Sequence, residues 1–277
     1  MRIVSLACSN TEIVWALGCG DMLVGVDDHS DFPAELVGPL PKVGPDLEID
    51  VARVAELKPD LVLATLTVPG HEKIVEKLKA AGLPFMAPEP VSLEDVFRDI
   101  RDIALRLGVP ERGDQLVAQM KSEMGLVGPQ TGSDTKAADG GGEAPGQVLP
   151  ADPGSPSILV QWWPKPVISP GGQSWVTDLI HLAGGRNPIG TESVKSRPLE
   201  DDEVAALSPD VIAISWCGVN PAKYRPDVVI NNPAFSEVAA VREDRVVCIP
   251  EAFMGRPGPR LVEGFRALKA AVDLSRK

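Results

Sequence analysis

VAELKPDLVLA, from Val54 to Ala64, recurs in the second half of the chain as VAALSPDVIAI, from Val204 to Ile214. Ahead of each proline the apolar residues fall at helical spacing: Val51, Val54, Ala55 and Leu57 in the first copy, Val204, Ala205 and Leu207 in the second. The Pro-Asp pair stops the helix, because proline has no amide hydrogen and its ring collides with the preceding turn. The apolar run behind it, LVLAT or VIAIS, suits a strand covered on both faces, as strands of parallel sheets are. Each copy is therefore a helix leading into an interior parallel strand.

Further pieces repeat in the same order. Ile3 to Leu6 reads as a strand, and Ser9-Asn10-Thr11-Glu12 matches the capping box S-x-x-E at the start of a helix that ends at Gly18. In the second half Ile158 to Val160 reads as a strand, and after a Pro/Gly-rich turn Trp175 to Ala183 reads as a helix closed by Gly184 and Gly185. Between the halves, Ser92 to Leu107 is a capped amphipathic helix. A second helix begins with Pro110 in its first turn and runs to about Leu126, long enough at about 1.5 Å per residue to cross from one lobe to the other. The expected organisation is an N-terminal α/β lobe over residues 1–107, an interlobe helix over 108–127, a Gly/Pro-rich insert over 128–156 and a C-terminal α/β lobe over 157–277. The insert has few apolar residues with which to offset its ordering entropy, so it is expected to be a flexible surface segment.

The 277 residues are 44% hydrophobic and 24% charged, enough to bury a substantial core. A net charge of -12 argues against nucleic acid and anionic membrane surfaces, whose binding relies on Lys and Arg. No stretch has the length of a membrane-spanning helix, and MRIVSLACSN reads as a strand and a turn instead of an export signal. That leaves a cytoplasmic protein if Met1 is the native start, or an extracytoplasmic one that begins at its mature fold. Cys8, Cys19, Cys217 and Cys248 are too widely spaced for a zinc site and are expected to be mostly small buried side chains.

Catalytic signatures are absent: Gly171-Gly172-Gln173-Ser174 lacks the lysine of a phosphate loop, and there is no GxGxxG, HExxH or GxSxG. His29, His71 and His181 are scattered. Aromatic residues make up only 4% of the chain, yet Trp162, Trp163, Trp175, Trp216 and Phe253 all fall near the carboxyl ends of second-half strands or at the helix start that follows. Ligands of open α/β sheets gather there. Trp15, inside the first helix, is assigned to the core. Trp162 and Trp163 are neighbours on a strand and should point to opposite faces, so both are not expected in one core.

RIVSLACSNTEIVWALG, VGVDDHSDFP, LKPDLVLA, ILVQWWPKPVISPGG, LIHLAGGRNPIG and RVVCIPEAFMGRPGPRLVEG, taken in order, resemble the helical-backbone (class III) substrate-binding proteins of ABC importers, and within them the cobalamin-binding, BtuF-like branch. The chain departs from that branch in its insert, in having no leader, and in carrying Thr65 and Leu66 where the cobalamin receptor has a tryptophan. The resemblance implies an α/β protein with two Rossmann-like lobes, each with a central parallel sheet, joined by a single long backbone helix. It implies a monomeric, non-catalytic, periplasmic or extracytoplasmic receptor, with cobalamin or a related corrinoid as transported ligand and not as prosthetic group. Its other partner would be an ABC importer permease.

The family pattern places Ser9, Asn10, His29, Leu66 and Thr67 on the first wall of the cleft. Trp162, Trp163, Gly171, Trp216, Phe253 and Arg256 fall on the second. His29 takes the place of a cleft tyrosine, and the resemblance makes it a candidate axial ligand to the metal of the cargo; its alternative role is a hydrogen bond within the HSDFP turn. Arg256 would meet an amide or carboxylate of the ligand, or form a salt bridge within its lobe. Glu72 and Asp202 match the carboxylates that dock on the permease, although acidic residues early in a helix also answer the macrodipole. The alternatives are a haem or ferric-siderophore receptor of the same fold, or a cytoplasmic corrinoid-handling α/β protein or enzyme.

Overall fold

The computed structural model describes residues 1–126 and 152–276. Most of the expected insert, 128–151, lies outside these described residues. The first half runs β1 (Ile3–Ser5), α1 (Cys8–Ala16), β2 (Leu23–Val26), α2 (Ala34–Val37), α3 (Val51–Glu56), β3 (Leu61–Leu63), α4 (His71–Ala80) and β4 (Phe85–Met86). Its four strands form a sheet of order β2-β1-β3-β4, every pair parallel. The helices α5 (Leu93–Arg106) and α6 (Pro110–Glu123) follow.

The second half runs β5 (Ile158–Gln161), β6 (Trp163–Pro164), β7 (Val167–Pro170), α7 (Trp175–Leu182), β8 (Ser196–Leu199), α8 (Asp201–Leu207), β9 (Val211–Ile214), α9 (Asp227–Ile230), α10 (Ala239–Arg242), β10 (Val246–Cys248) and α11 (Leu261–Ser275). Strands β10-β9-β5 make a parallel sheet, and β6-β7-β8 a small antiparallel one. The chain is thus an α/β protein with a parallel sheet in each of two lobes. The repeated phrase forms α3 with β3 and α8 with β9, and both strands are buried along their whole length. In each copy the residue before the proline, Lys58 or Ser208, takes a positive φ that turns the chain from helix to strand.

Local signals and structure differ at α1. The helix begins at Cys8, and its N-cap, Ala7, offers no side-chain bond, so the expected capping box does not form. Ser9 to Val14 are all buried, polar residues included, while Trp15 is 44% exposed and meets Phe32 edge-on, 5.4 Å between ring centroids. The helix buries its polar side because that side faces the other lobe, and the tryptophan expected in the core is on the outside. Of the cysteines, Cys19 is buried, Cys8 partly so, and Cys217 and Cys248 are exposed; all four are free.

Between the sheets stands a helical hairpin. Arg112 near the start of α6 donates to the Leu17 carbonyl of the first lobe at 3.0 Å, and Glu123 at its end accepts from Arg266 on α11 at 2.6 Å. Helix α6 is therefore the segment that crosses. Helix α5 lies antiparallel beside it: Lys121 reaches Glu94 at 2.9 Å, and the Leu93 amide donates to Asp178 on α7 at 2.7 Å. Gly113 permits this approach, since a Cβ there would stand 2.5 Å from the Ala104 methyl. One apolar cluster runs from Ile3 and Ile13 through Phe97, Ile100 and Met120 to Val176, Leu179 and Leu268, so both lobes share a core. Among the described residues no helix is long and apolar enough to cross a membrane.

Asp99 on α5 is buried, and one of its carboxylate oxygens has no hydrogen-bond partner. Burial pushes its pKa up to about 6, against 3.8 for the free side chain. The folded state thus holds this proton more tightly than the unfolded state, and stability falls as pH rises from about 4 to about 6. Asp99→Asn is expected to raise stability at about pH 8 by up to roughly 3 kcal/mol and to give no gain near pH 4. Urea unfolding at the two pH values measures both; an equal effect at each would refute the assignment.

Candidate functional site

In both parallel sheets the carboxyl ends of the strands give onto the seam between the lobes, where ligands of open α/β sheets bind. From the first lobe come Ala7 to Asn10 after β1, Asp27 to Asp31 after β2 and Thr65 to Val68 after β3. The second lobe contributes Trp162 after β5, Trp216 to Gly218 after β9 and the segment 249–260 after β10. The walls are joined by side chains at two places.

The first junction is a buried ionic cluster. Arg256 Nη1 of the second lobe donates to Asp31 at 2.6 Å and to Glu12 at 3.1 Å in the first lobe, and its Nε to Glu251 at 3.3 Å. Arg260 Nε reaches Glu12 at 2.9 Å, and a second nitrogen of the same group also bonds Glu12. Phe32 of the first lobe lies under the Arg260 guanidinium at 4.4 Å, with Phe253 on the same cation at 5.7 Å. Burial raises the Asp31 carboxyl, but the Arg256 hydrogen bond and charge more than reverse this and leave it below the usual range. Burial dominates at Glu251, which stays above the usual range despite Arg256. The second junction is Lys195, which donates to the Leu66 carbonyl at 3.2 Å and to Glu89 at 2.6 Å.

Several of the expected ligand-binding side chains are committed to the wall itself. Ser9 and Asn10 are buried, and the Asn10 amide donates to the Ala64 carbonyl at 2.8 Å, tying α1 to the end of β3. Trp216 is buried, donates to Gln161 at 3.0 Å and tilts against Tyr224. At Gly171 a Cβ would lie 2.5 Å from the Val194 carbonyl, so glycine is what lets the loops meet. Arg256 is saturated by carboxylates. Trp175 is sealed, its indole N–H on the Met254 carbonyl at 2.8 Å, where it braces the turn that carries Phe253.

Others keep open surface. Leu66, Thr67, Trp162 and Phe253 are partly exposed, and Trp163 is 43% exposed. The Trp162 indole N–H has no partner among the described residues. The tryptophan pair diverges as alternation along a strand requires. The His29 side chain is half exposed, with Nε2 3.6 Å from Asp46. Glu72 and Asp202 are exposed in the first turns of α4 and α8; each accepts a local backbone N–H, from Gly70 and Glu203 respectively, both at 2.8 Å. Among the described residues no group of three or more His, Cys, Asp or Glu side chains is placed to hold a metal ion. Sequence reasoning missed the ionic cluster and Lys195. The one visible hint was the pair Arg256 and Arg260, four residues apart with no acidic residue between them.

Residues 3–252 match the family model described as periplasmic binding protein. An ABC transporter substrate-binding lipoprotein of Bacillus subtilis, YvrC, is 28% identical over 274 residues, covering 98% of this chain and 79% of the relative. The vitamin B12-binding protein of Vibrio parahaemolyticus is 25% identical over 268 residues, 95% of this chain and 86% of the relative. Among solved structures, the periplasmic heme-binding protein RhuT of Roseiflexus superposes with a TM-score of 0.75 at 26% identity, covering 99% of this chain and 98% of that one. The vitamin B12-binding protein BtuF of Vibrio cholerae does so with a TM-score of 0.72 at 22% identity, covering 100% and 98%.

The two junctions differ in burial, and so should their mutants. Glu12→Leu leaves Arg260 and part of Arg256 uncompensated and is expected to cost about 3 to 5 kcal/mol. Lys195→Ala breaks an exposed pair and should cost less than about 1 kcal/mol, with the difference fading in high salt. Denaturant titrations of both variants give the comparison, and equal losses would mean the cluster is not buried as described.

Proposed function

The chain belongs to the periplasmic binding protein family, as a substrate-binding protein of ABC transport, and we propose that its cargo is cobalamin or a related corrinoid, held in the interlobe seam and passed to an importer permease. The supporting observation is electrostatic. The cations that join the two walls are already answered by protein carboxylates: Arg256 by Glu12, Asp31 and Glu251, Arg260 by Glu12, and Lys195 by Glu89. Asp27 adds a further buried carboxylate.

A haem brings two propionates, and most siderophore complexes are anionic. Either would meet repulsion unless an ion pair of the protein were broken, and uncompensated buried charge is expensive. A corrin is fringed by neutral amides, which ask only for hydrogen bonds and an apolar face. Trp162, Trp163 and Phe253 supply aromatic surface, worth up to roughly 150 to 250 Å² for each ring when fully covered. Leu66 and Thr67, at the position of the cobalamin receptor's tryptophan, form a flatter facing wall. The acidic pair Glu72 and Asp202 would dock on basic groups of the permease, one from each lobe. In this reading the protein acts as a monomer outside the cytoplasm and makes or breaks no covalent bond. The haem reading is favoured by one feature, the exposed His29 imidazole, and by the likeness to a heme-binding relative.

Thermal unfolding separates these readings. A ligand that binds only the folded state at about a hundred times its Kd stabilises by about 2.7 kcal/mol. Cyanocobalamin is expected to raise Tm and quench tryptophan fluorescence, with haemin doing neither. Trp163→Ala should weaken the cobalamin effect at least several-fold and leave the Tm of the free protein unchanged. A shift with haemin alone would replace the corrinoid with haem as the cargo.

A further inference from the structure

His29 is an exposed residue on an unusually well-held turn. Asp27, at the end of β2, is completely buried, and burial raises its carboxyl above the usual range. Both of its oxygens are used on this turn: Oδ2 accepts the His29 amide at 3.0 Å, and Oδ1 accepts the Ser30 hydroxyl at 2.5 Å. Lys42 closes the turn from below, its ammonium on the carbonyls of Asp27 and Ser30 at 3.3 and 2.7 Å. Asp28 is locked to Gly44 in both directions. A buried carboxylate is a costly way to shape a loop whose outward product is a single imidazole. Such rigid presentation is what a binding side chain needs.

The ring is biased as well as presented. Its Nε2 faces Asp46 at 3.6 Å, too long for a good hydrogen bond but close enough to favour a proton on that nitrogen. Asp46 is itself set by His71. The buried His71 ring accepts the Val68 N–H at Nδ1, at 3.2 Å, so its own proton is on Nε2, which points at the other oxygen of Asp46 at 3.5 Å. The His71 imidazole beside Asp46 holds its carboxyl below the usual range, with the His29 charge adding to the effect. With Nε2–H turned to a carboxylate, the His29 lone pair is on Nδ1, which has no partner among the described residues. That is how metal-binding histidines are prepared: one nitrogen donates to a carboxylate, and the other is left basic for the metal.

We propose that His29 Nδ1 is the axial ligand to the metal of the cargo and that Asp46, steadied by His71, is its positioning residue. The inference rests on the corrinoid reading and narrows it. The preferred cargo is a corrinoid whose upper axial ligand exchanges readily, such as aquocobalamin, over one whose upper ligand is held firmly. The step is a simple exchange in which water leaves cobalt with its electron pair and the imidazole lone pair takes its place, with no change of oxidation state. Position supports it. His29 lies two residues from Asp31, which crosses the seam to Arg256, and Val68, which fixes His71, follows the Leu66 carbonyl that receives Lys195. The metal ligand and its support are therefore at the seam.

Two corrinoids make the test, read by visible absorption and by Kd on the full chain. Cyanocobalamin reports the fit of the macrocycle, because its cyanide stays on cobalt. Aquocobalamin reports ligation. The expected result is that aquocobalamin binds roughly ten- to a hundredfold more tightly and takes on the spectrum of its imidazole adduct. His29→Ala should abolish the spectral change and bring the two affinities together. Asp46→Asn should keep the adduct but reduce the preference several-fold, an effect that a purely structural role for Asp46 would spread equally over both corrinoids. His29 is exposed, so its variant is expected to fold, and unchanged cyanocobalamin binding confirms that it has. If the wild-type protein binds both corrinoids equally and the aquocobalamin spectrum does not change, the ligation inference is wrong and the corrinoid reading survives. If neither corrinoid binds, both fall together.

Discussion

Where Gly113 lies against Ala104, α6 comes close enough to α5 for their side chains to share one apolar layer, and that contact fixes where the two sheets stand. Each face of the helical hairpin is covered by a different lobe. The phenyl ring of Phe97 and the side chains of Ile100, Val117 and Met120 are almost completely buried among residues from both halves. Tilting one lobe against the other would expose part of this layer to water at about 25 cal/mol per Å². A shared core therefore resists large rotations in a way that a bare linker would not, and small adjustments at the seam are left to side chains.

Those side chains are mostly charged, and the buried ones do not stabilise cheaply. Bringing Glu12 and Arg256 out of water costs several kcal/mol per ion before their attraction returns any of it, so apolar substitutes of the same size would often serve stability as well. What the ions provide is selectivity of contact: Asp31 and Glu12 accept only a cation from the facing lobe, and Arg256 and Arg260 answer them in one register. The same arrangement gives the seam its chemical character. An excess of carboxylate over guanidinium near the ends of β1, β2 and β10 agrees with the net charge of the whole chain and favours neutral or cationic cargo.

The helix, Pro-Asp, strand units were legible because everything that makes them is local: a periodic apolar face, a proline that ends it and a run of β-branched residues behind. Pro110 and Ser92 likewise announced the starts of α6 and α5. The failures occur where a distant partner overrides a local rule. Glu12 carries the third-position signature of a capping box, yet its carboxylate is drawn to arginines 244 and 248 residues away. Trp15 sits in a helix whose polar side is buried, so the rule that places aromatics inward selects the wrong face. The antiparallel trio β6-β7-β8 was invisible because Trp163-Pro164 is only two residues long and pairs through a return that no periodicity marks.

The candidate site shows the same division. The carboxyl ends of the strands could be located from sequence because parallel topology dictates them, and so could the outward Trp163, since alternation separates it from Trp162. Asn10, Trp216 and Arg256 were located too, but their partners, Ala64, Gln161 and a trio of acids, are set by packing across the fold. A polar side chain near a cleft has two ways to satisfy its hydrogen bonds, and only coordinates tell which it has taken. Asn10 spends its amide on the protein, whereas His29 is held firmly at its backbone and keeps one ring nitrogen unpaired. The difference is that Asp27 takes on the structural work of the turn, and this releases the imidazole beside it.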